Sequence, residues 1–285
     1  MKVGVSSYSY AQCLRAGTLD IYSFIDKAKE MGFDGVAFLA THIVADTLDE
    51  RKAIAKTLGE KAASLGLDVS SYLTGGNLFQ TGDDLKAEIA RIKGEIDIAN
   101  ILGTKSFRYD VIYGMAPMGK SFDMLLNQIV DIMRELADYA AQYGIMTMIE
   151  NHGYIFQDAY RVEKAVNEVN RDNFRLLVDI GNFTCADEVP TVSVSRVASL
   201  AAHVHLKDFY ILPFTTPNKT GAFTTRGMNY LRGAAVGEGD VGAAQCIAIL
   251  KRAGYDGYLD IEFEGQEDCI AALTRGLAYT RECIK

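Results

Sequence analysis

The sequence predicts a single α/β domain over residues 1–285, folded as a closed (β/α)8 barrel. Three observations carry that expectation. Eight short apolar runs read as strands, each followed by a helical or loop segment. Five of the runs begin just after a glycine that closes a helical stretch: Gly32, Gly66, Gly103, Gly144 and Gly254. An open doubly wound sheet would be expected to carry a phosphate-binding glycine fingerprint after its first strand. Here SSYSYAQCLRAG occupies that place, and no Walker sequence occurs elsewhere.

Taken in order, VGVSSYSY supplies strand one, and DIYSFIDKAKEM is an amphipathic helix ended by Gly32. MGFDGVAF and LGLDVSSY then give strands two and three. The helical pattern of DLKAEIARIKGEIDIANIL leads into LGTKSFRY, strand four, and YGIMTMIE is strand five. Strands six and seven, FRLLVDI and HVHLKD, lack the glycine but hold the rhythm, and AGYDGYLDIE is strand eight. Glycine past a helix end adopts the left-handed conformation at little cost, so each instance reads as helix stop, tight turn, strand. Alternation of strands with helices implies right-handed crossovers and a parallel sheet. The longest connection runs from Phe209 to Asp240, after strand seven, and is expected to be a lid loop on the face formed by the carboxyl ends of the strands.

Composition narrows the function classes. A net charge of −8 lacks the basic footprint of a nucleic-acid binder. No apolar run approaches the roughly 20 residues that span a bilayer. The first residues, MKVGVSSYSY, read as a strand rather than a signal peptide. Five cysteines without C-x-x-C spacing suggest reduced thiols and a cytoplasmic protein.

Glu150, Asp179, His205 and Glu262 each end one of four successive apolar strands. Such groups are costly to bury unless a cation compensates them, and parallel strands would bring their carboxyl ends to one place. Three carboxylates and one imidazole suit Mn²⁺, Mg²⁺ or Co²⁺, with Zn²⁺ and Fe²⁺ as further candidates. Without a cation the three negative charges would repel.

The stretches MIENHG at 148–153, VDIGN at 178–182, HVHLKD at 203–208 and GYLDIEFEG at 257–265 resemble the xylose-isomerase-like TIM-barrel superfamily, and within it the sugar phosphate isomerase/epimerase group. The resemblance covers nearly the whole chain. It implies that Glu150, Asp179, His205 and Glu262 bind one divalent metal, with His203 one layer deeper than His205. It also implies an isomerase or epimerase acting on a carbohydrate. As in ketose 3-epimerases of that group, Glu150 and Glu262 would be the catalytic pair that moves protons at the carbon beside a carbonyl. A β-eliminating lyase of the inosose dehydratase or 3-oxo-glycoside type is the nearest alternative, and a catalytically silent sugar-binding barrel is another.

Departures from the family pattern are informative. Ala37 stands where many members carry an acid, and Asn182 stands where the DNA-repair branch has a histidine. With four histidines in all, the three-zinc site of that branch cannot be assembled. Position also nominates His152, Lys207, Asp208, His42 and Arg226 as substrate-binding residues, and Tyr8, Tyr10, Tyr72 and Phe79 as an aromatic wall. The expected partner is a small-molecule sugar or sugar derivative, not a nucleic acid or a membrane; a homo-oligomer is compatible with the reading.

Overall fold

A computed structural model describes all of residues 1–285. All five of the glycines expected to stop helices adopt positive φ, from 61° at Gly144 to 90° at Gly32. Gly32 and Gly103 show why. Each follows the last helical residue and donates its backbone N–H to carbonyls of the final turn before the chain enters the next strand. The helix starts are equally local. Asp20 accepts the N–H groups of Tyr22 and Ser23, and Thr47 exchanges hydrogen bonds with Glu50.

The strands in chain order are β1 (Lys2–Ser6), β2 (Gly35–Leu39), β3 (Asp68–Thr74), β4 (Ser106–Tyr109), β5 (Met146–Glu150), β6 (Phe174–Asp179) and β7 (Ala201–Leu206). Then come β8 (Asp208–Leu212), β9 (Ala222–Thr224), β10 (Tyr230–Ala234) and β11 (Tyr258–Ile261). Strands β1 to β7 and β11 form one closed parallel barrel in the order β1-β11-β7-β6-β5-β4-β3-β2. The main helices are α1 (Ala11–Ala16), α2 (Ile21–Met31), α3 (Leu48–Ser64), α4 (Gly82–Leu102), α5 (Phe122–Ala141), α6 (Ala159–Val169), α7 (Pro190–Val197), α8 (Ala243–Arg252) and α9 (Cys269–Ile284). A 70-residue hydrophobic cluster fills the space between strands and helices. None of these helices is long and apolar enough to cross a membrane.

The barrel interior is divided. Because side chains alternate along a strand, the residue two before each end residue lies on the same face, one layer deeper. For Glu150 and Asp179 that layer is Met148 and Leu177, which pack with Ala37 and Leu73 in a separate apolar cluster. For His205 and Glu262 it is His203 and Asp260, hydrogen-bonded at 2.8 Å. Ser70 donates to the same Asp260 oxygen at 2.7 Å. Asp260 Oδ1 has no partner and lies against Gly4, where any Cβ would overlap it.

The segment after β7 departs from expectation. It is no loop: β8, β10 and β9 form a three-stranded antiparallel sheet. Its length suggested a loop, but the alternation in DFYIL and YLRGA buries Phe209 and Leu231 on one side. The Asp187 carboxylate accepts from Thr225, Gly227 and Asn229, and Tyr154 donates to the Thr224 carbonyl at 2.8 Å. These bonds hold the sheet to the connections that follow β5 and β6.

Candidate metal centre

Parallel register brings the four strand ends together. Asp179 pairs with His205, and His205 with Asp260 on β11. The Glu262 backbone N–H donates to the Leu206 carbonyl at 3.0 Å, which extends β11 by one rung. Glu150, Asp179, His205 and Glu262 are all buried, and one ligand atom of each lies within 4.8 Å of the others. His205 Nδ1 is 3.6 Å from Glu150 Oε1 and 3.5 Å from Glu262 Oε1.

The group is held from outside. Asp179 Oδ1 accepts the N–H groups of Gly181 and Asn182, which leaves Oδ2 turned to the centre. Arg108, at the end of β4, donates from Nε and Nη2 to Glu150 Oε2, and Asn182 Nδ2 donates to Glu150 Oε1 at 3.0 Å. Lys207 Nζ lies 3.3 Å from Asp179, 3.1 Å from Glu262 and 3.6 Å from Glu264. That separation brings Lys207 within charge attraction of Asp179 Oδ2, yet no hydrogen bond is aligned on that oxygen or on either ring nitrogen of His205. Buried polar atoms are ordinarily paired, and three that are not, beside the Glu150 and Glu262 carboxylates, form a donor set that a cation would satisfy. Three carboxylates and a neutral imidazole fit a divalent cation. His203, His205 and Asp260 form a second, deeper group with ligand atoms within the same 4.8 Å.

Electrostatics follow from burial and these neighbours. Burial pushes the Asp179 carboxyl up to about 6 despite Lys207 beside it. Burial opposes ionisation of Glu150 too, but the Arg108 guanidinium holds it well below the usual carboxylate range. Glu262 is likewise lowered, against burial, by His205 and Lys207. Burial disfavours the charged imidazole of His205, yet Glu262, Glu150 and Asp179 together push it up to about 9. Lys207 is raised well above its ordinary value by Asp179, Glu264 and Glu262, which outweigh its burial.

The other nominated residues separate into two sets. His152 and Lys207 line the cavity that reaches Glu150 and Glu262, and His152 Nδ1 lies 2.9 Å from Asp110 Oδ1. Asp110 raises the His152 imidazole, against burial. Asp208, His42 and Arg226 lie elsewhere. The Asp208 carboxylate accepts the backbone N–H groups of Phe209, Gly237, Gly239 and Val241 and so fixes the ends of the small sheet. Arg226 is bound to Asp158 at 2.9 Å. His42 meets Ser7 Oγ at 2.9 Å and faces an outer groove with Leu14 and Tyr22. Of the proposed aromatic wall, Tyr8 lines the cavity and donates to Glu264, whereas Tyr10 and Tyr72 are packed in the core. Sequence reasoning passed over Arg108 and Asp110. Both end strand four in SFRYD, and the same strand-end position that nominated the four ligands would have found them.

Comparisons bear on this geometry. A curated inosose dehydratase from Bacillus cereus (strain AH820) is 26% identical over 149 residues, a match that takes in 48% of this chain and 47% of that protein. A solved IOLI protein with a binding zinc atom superposes with a TM-score of 0.78 at 16% identity, over 100% of this chain and 98% of that one. D-psicose 3-epimerase with D-tagatose, from Clostridium cellulolyticum H10, gives 0.77 at 15% identity and covers both chains completely. At these identities the structures speak to fold. With the family model for the xylose isomerase-like TIM barrel matched from residue 25 to residue 283, this chain belongs to that family.

Proposed function

We propose that this chain is a divalent-metal-dependent enzyme that moves a proton at the carbon beside a sugar carbonyl, in the manner of a ketose 3-epimerase. The observation that carries the proposal is the pair Glu150 and Glu262, whose Oε1 atoms lie 3.6 and 3.5 Å from His205 Nδ1 and which line one cavity. Glu150, Asp179, His205 and Glu262 would hold the cation. With three hard oxygen donors, manganese, magnesium or cobalt suits the set best. When bound, the cation would polarise a carbonyl and its neighbouring hydroxyl and acidify the C–H between them.

The remaining work falls to the protein. One glutamate takes the proton from one face of the carbon and the other returns a proton to the opposite face. Arg108 keeps Glu150 ionised, and Lys207 does the same for Glu262. A sugar partner suits the cavity over Glu150 and Glu262, which Arg108, Asp110, His152 and Lys207 line with hydrogen-bonding groups.

One observation favours β-elimination as a second route. His152, whose imidazole Asp110 raises against burial, stands on the cavity wall as a candidate acid for a departing hydroxyl. The curated relative named above is a dehydratase. Both routes begin with the same proton abstraction.

Incubation of manganese-loaded protein with ketoses, inososes and 3-oxo-glycosides in D₂O tests the common step. Deuterium should enter beside the carbonyl, in an epimer if the proton returns and in an unsaturated product if a leaving group departs. Turnover without solvent deuterium would point to a hydride shift and end the proposal.

A further inference from the structure

The space above the four ligands has two chambers. The inner one, 280 Å³, reaches Glu150, Glu262 and Arg108. The outer one, 380 Å³, lies beside it under the small sheet. Tyr8, His152, Lys207 and Glu264 line both and form the passage between them. The outer chamber is therefore larger than the space where the proton transfer would occur.

Its walls differ in chemistry from those of the inner one. Tyr113 and Tyr154 come from the connections after β4 and β5, with ring centroids 6.0 Å apart, and Phe223 comes from β9. Tyr113 is 67% exposed and Phe223 is 37% exposed, so ring surface is open on the wall of this cavity. The cations of the small sheet are turned away from this space. Arg226 is paired with Asp158, Lys219 lies 4.4 Å over the Tyr230 ring, and Arg232 lies over Tyr210. Lys207, the only lysine or arginine lining the chamber, already faces three carboxylates. His152, on the same wall, faces Asp110 at 2.9 Å, so a phosphate would find no unpaired cation here, whereas an uncharged ring would find three aromatic side chains.

We propose that the outer chamber is a subsite for an uncharged ring attached to the reacting sugar, so that the substrate is a glycoside rather than a free or phosphorylated ketose. The carbonyl-bearing ring occupies the inner chamber, and the aglycone, a second sugar or an aromatic ring, lies against Tyr113, Tyr154 and Phe223. This rests on the proposed function for the inner chamber but is tested separately from it.

Binding of phenyl β-D-glucopyranoside and methyl β-D-glucopyranoside to manganese-loaded protein, measured by saturation-transfer NMR titration, requires no reaction. The phenyl glucoside should bind about tenfold more tightly, the size of one or two aromatic contacts. Phe223→Ala and Tyr113→Ala should each remove most of that preference and leave the methyl glucoside unaffected. Both rings are exposed enough for these variants to fold, and circular dichroism verifies it. Equal affinity for the two glucosides, no binding of either, or a preference that survives both substitutions overturns the subsite. If the preference holds while no oxo-sugar takes up deuterium, the subsite stands and the proton-transfer proposal falls.

Discussion

Glu150 and Glu262 differ in their surroundings, and that difference sets what each substitution should do. Arg108 and Asn182 bind both oxygens of Glu150, while Glu262 faces Lys207 and His205. Glu→Gln at either position keeps shape and removes basicity. Turnover should fall by roughly 10²–10⁴-fold, the usual scale of general acid–base catalysis. Metal content measured on the same samples shows whether the loss is chemical or merely a lost ligand. His205 gives a sharper test, through pH. Its folded value of about 9 lies above the ordinary 6.5, so in metal-free protein it contributes stability that is complete below 6.5 and lost as pH rises through 9. The amount is on the order of 3 kcal/mol. His152 is shifted in the same direction, and a His152→Asn background removes its share. Chelator-treated protein should therefore lose thermal stability between pH 6.5 and 9, whereas manganese-loaded protein, with His205 a neutral ligand, should not. A flat profile after chelation would refute the electrostatic account of this group. All four converging residues were legible because charge at the end of an apolar strand is rare and expensive. Their supports were less so: Arg108 meets the same strand-end rule but offers no ligand atom to a metal, and the role of Asn182 shows only once its partner Glu150 is known.

At the scale of elements, the small sheet depends on two acidic side chains. Asp208 gathers four backbone N–H groups from the two ends of the segment, and Asp187 gathers donors from its tip. Asp208→Ala would leave buried donors unpaired at a cost of about 1–3 kcal/mol. Most of that cost should appear as local opening rather than global unfolding. Hydrogen exchange followed by mass spectrometry should show residues 208–241 losing protection while β1 to β6 keep theirs; uniform loss across the chain would contradict this. The segment was misread from sequence for a physical reason. Its strands are short and amphipathic, and they pair only with one another, so their periodicity barely rises above that of a polar loop. The helix stops had the opposite character. A glycine that must take positive φ is a local requirement and shows in sequence without tertiary context.

The whole barrel closes where β1 meets β11, and Gly4 lies on that seam with Asp260 against it. Gly4→Ala should lower the urea midpoint by the equivalent of about 1–3 kcal/mol or more, as overpacking does. Asp260→Ser in the same chain should recover part of the loss, and failure of that rescue would place the strain elsewhere. Strand number, parallel order and closure were legible because the repeated strand–helix unit admits few arrangements. The mixed apolar and polar halves of the interior were not, since HVH and LDI do not reveal which neighbours they will meet. Closure also has a consequence for synthesis on the ribosome. The seam pairs Lys2 with Tyr258, so one edge of β1 remains unpaired until β11 has emerged. The last strand to arrive both covers that edge and delivers the neighbour of Glu262. A chain stalled or truncated before β11 would expose two sheet edges at once and have only three of the four residues proposed to hold the cation. Such a product is an aggregation hazard that no metal supplement should rescue.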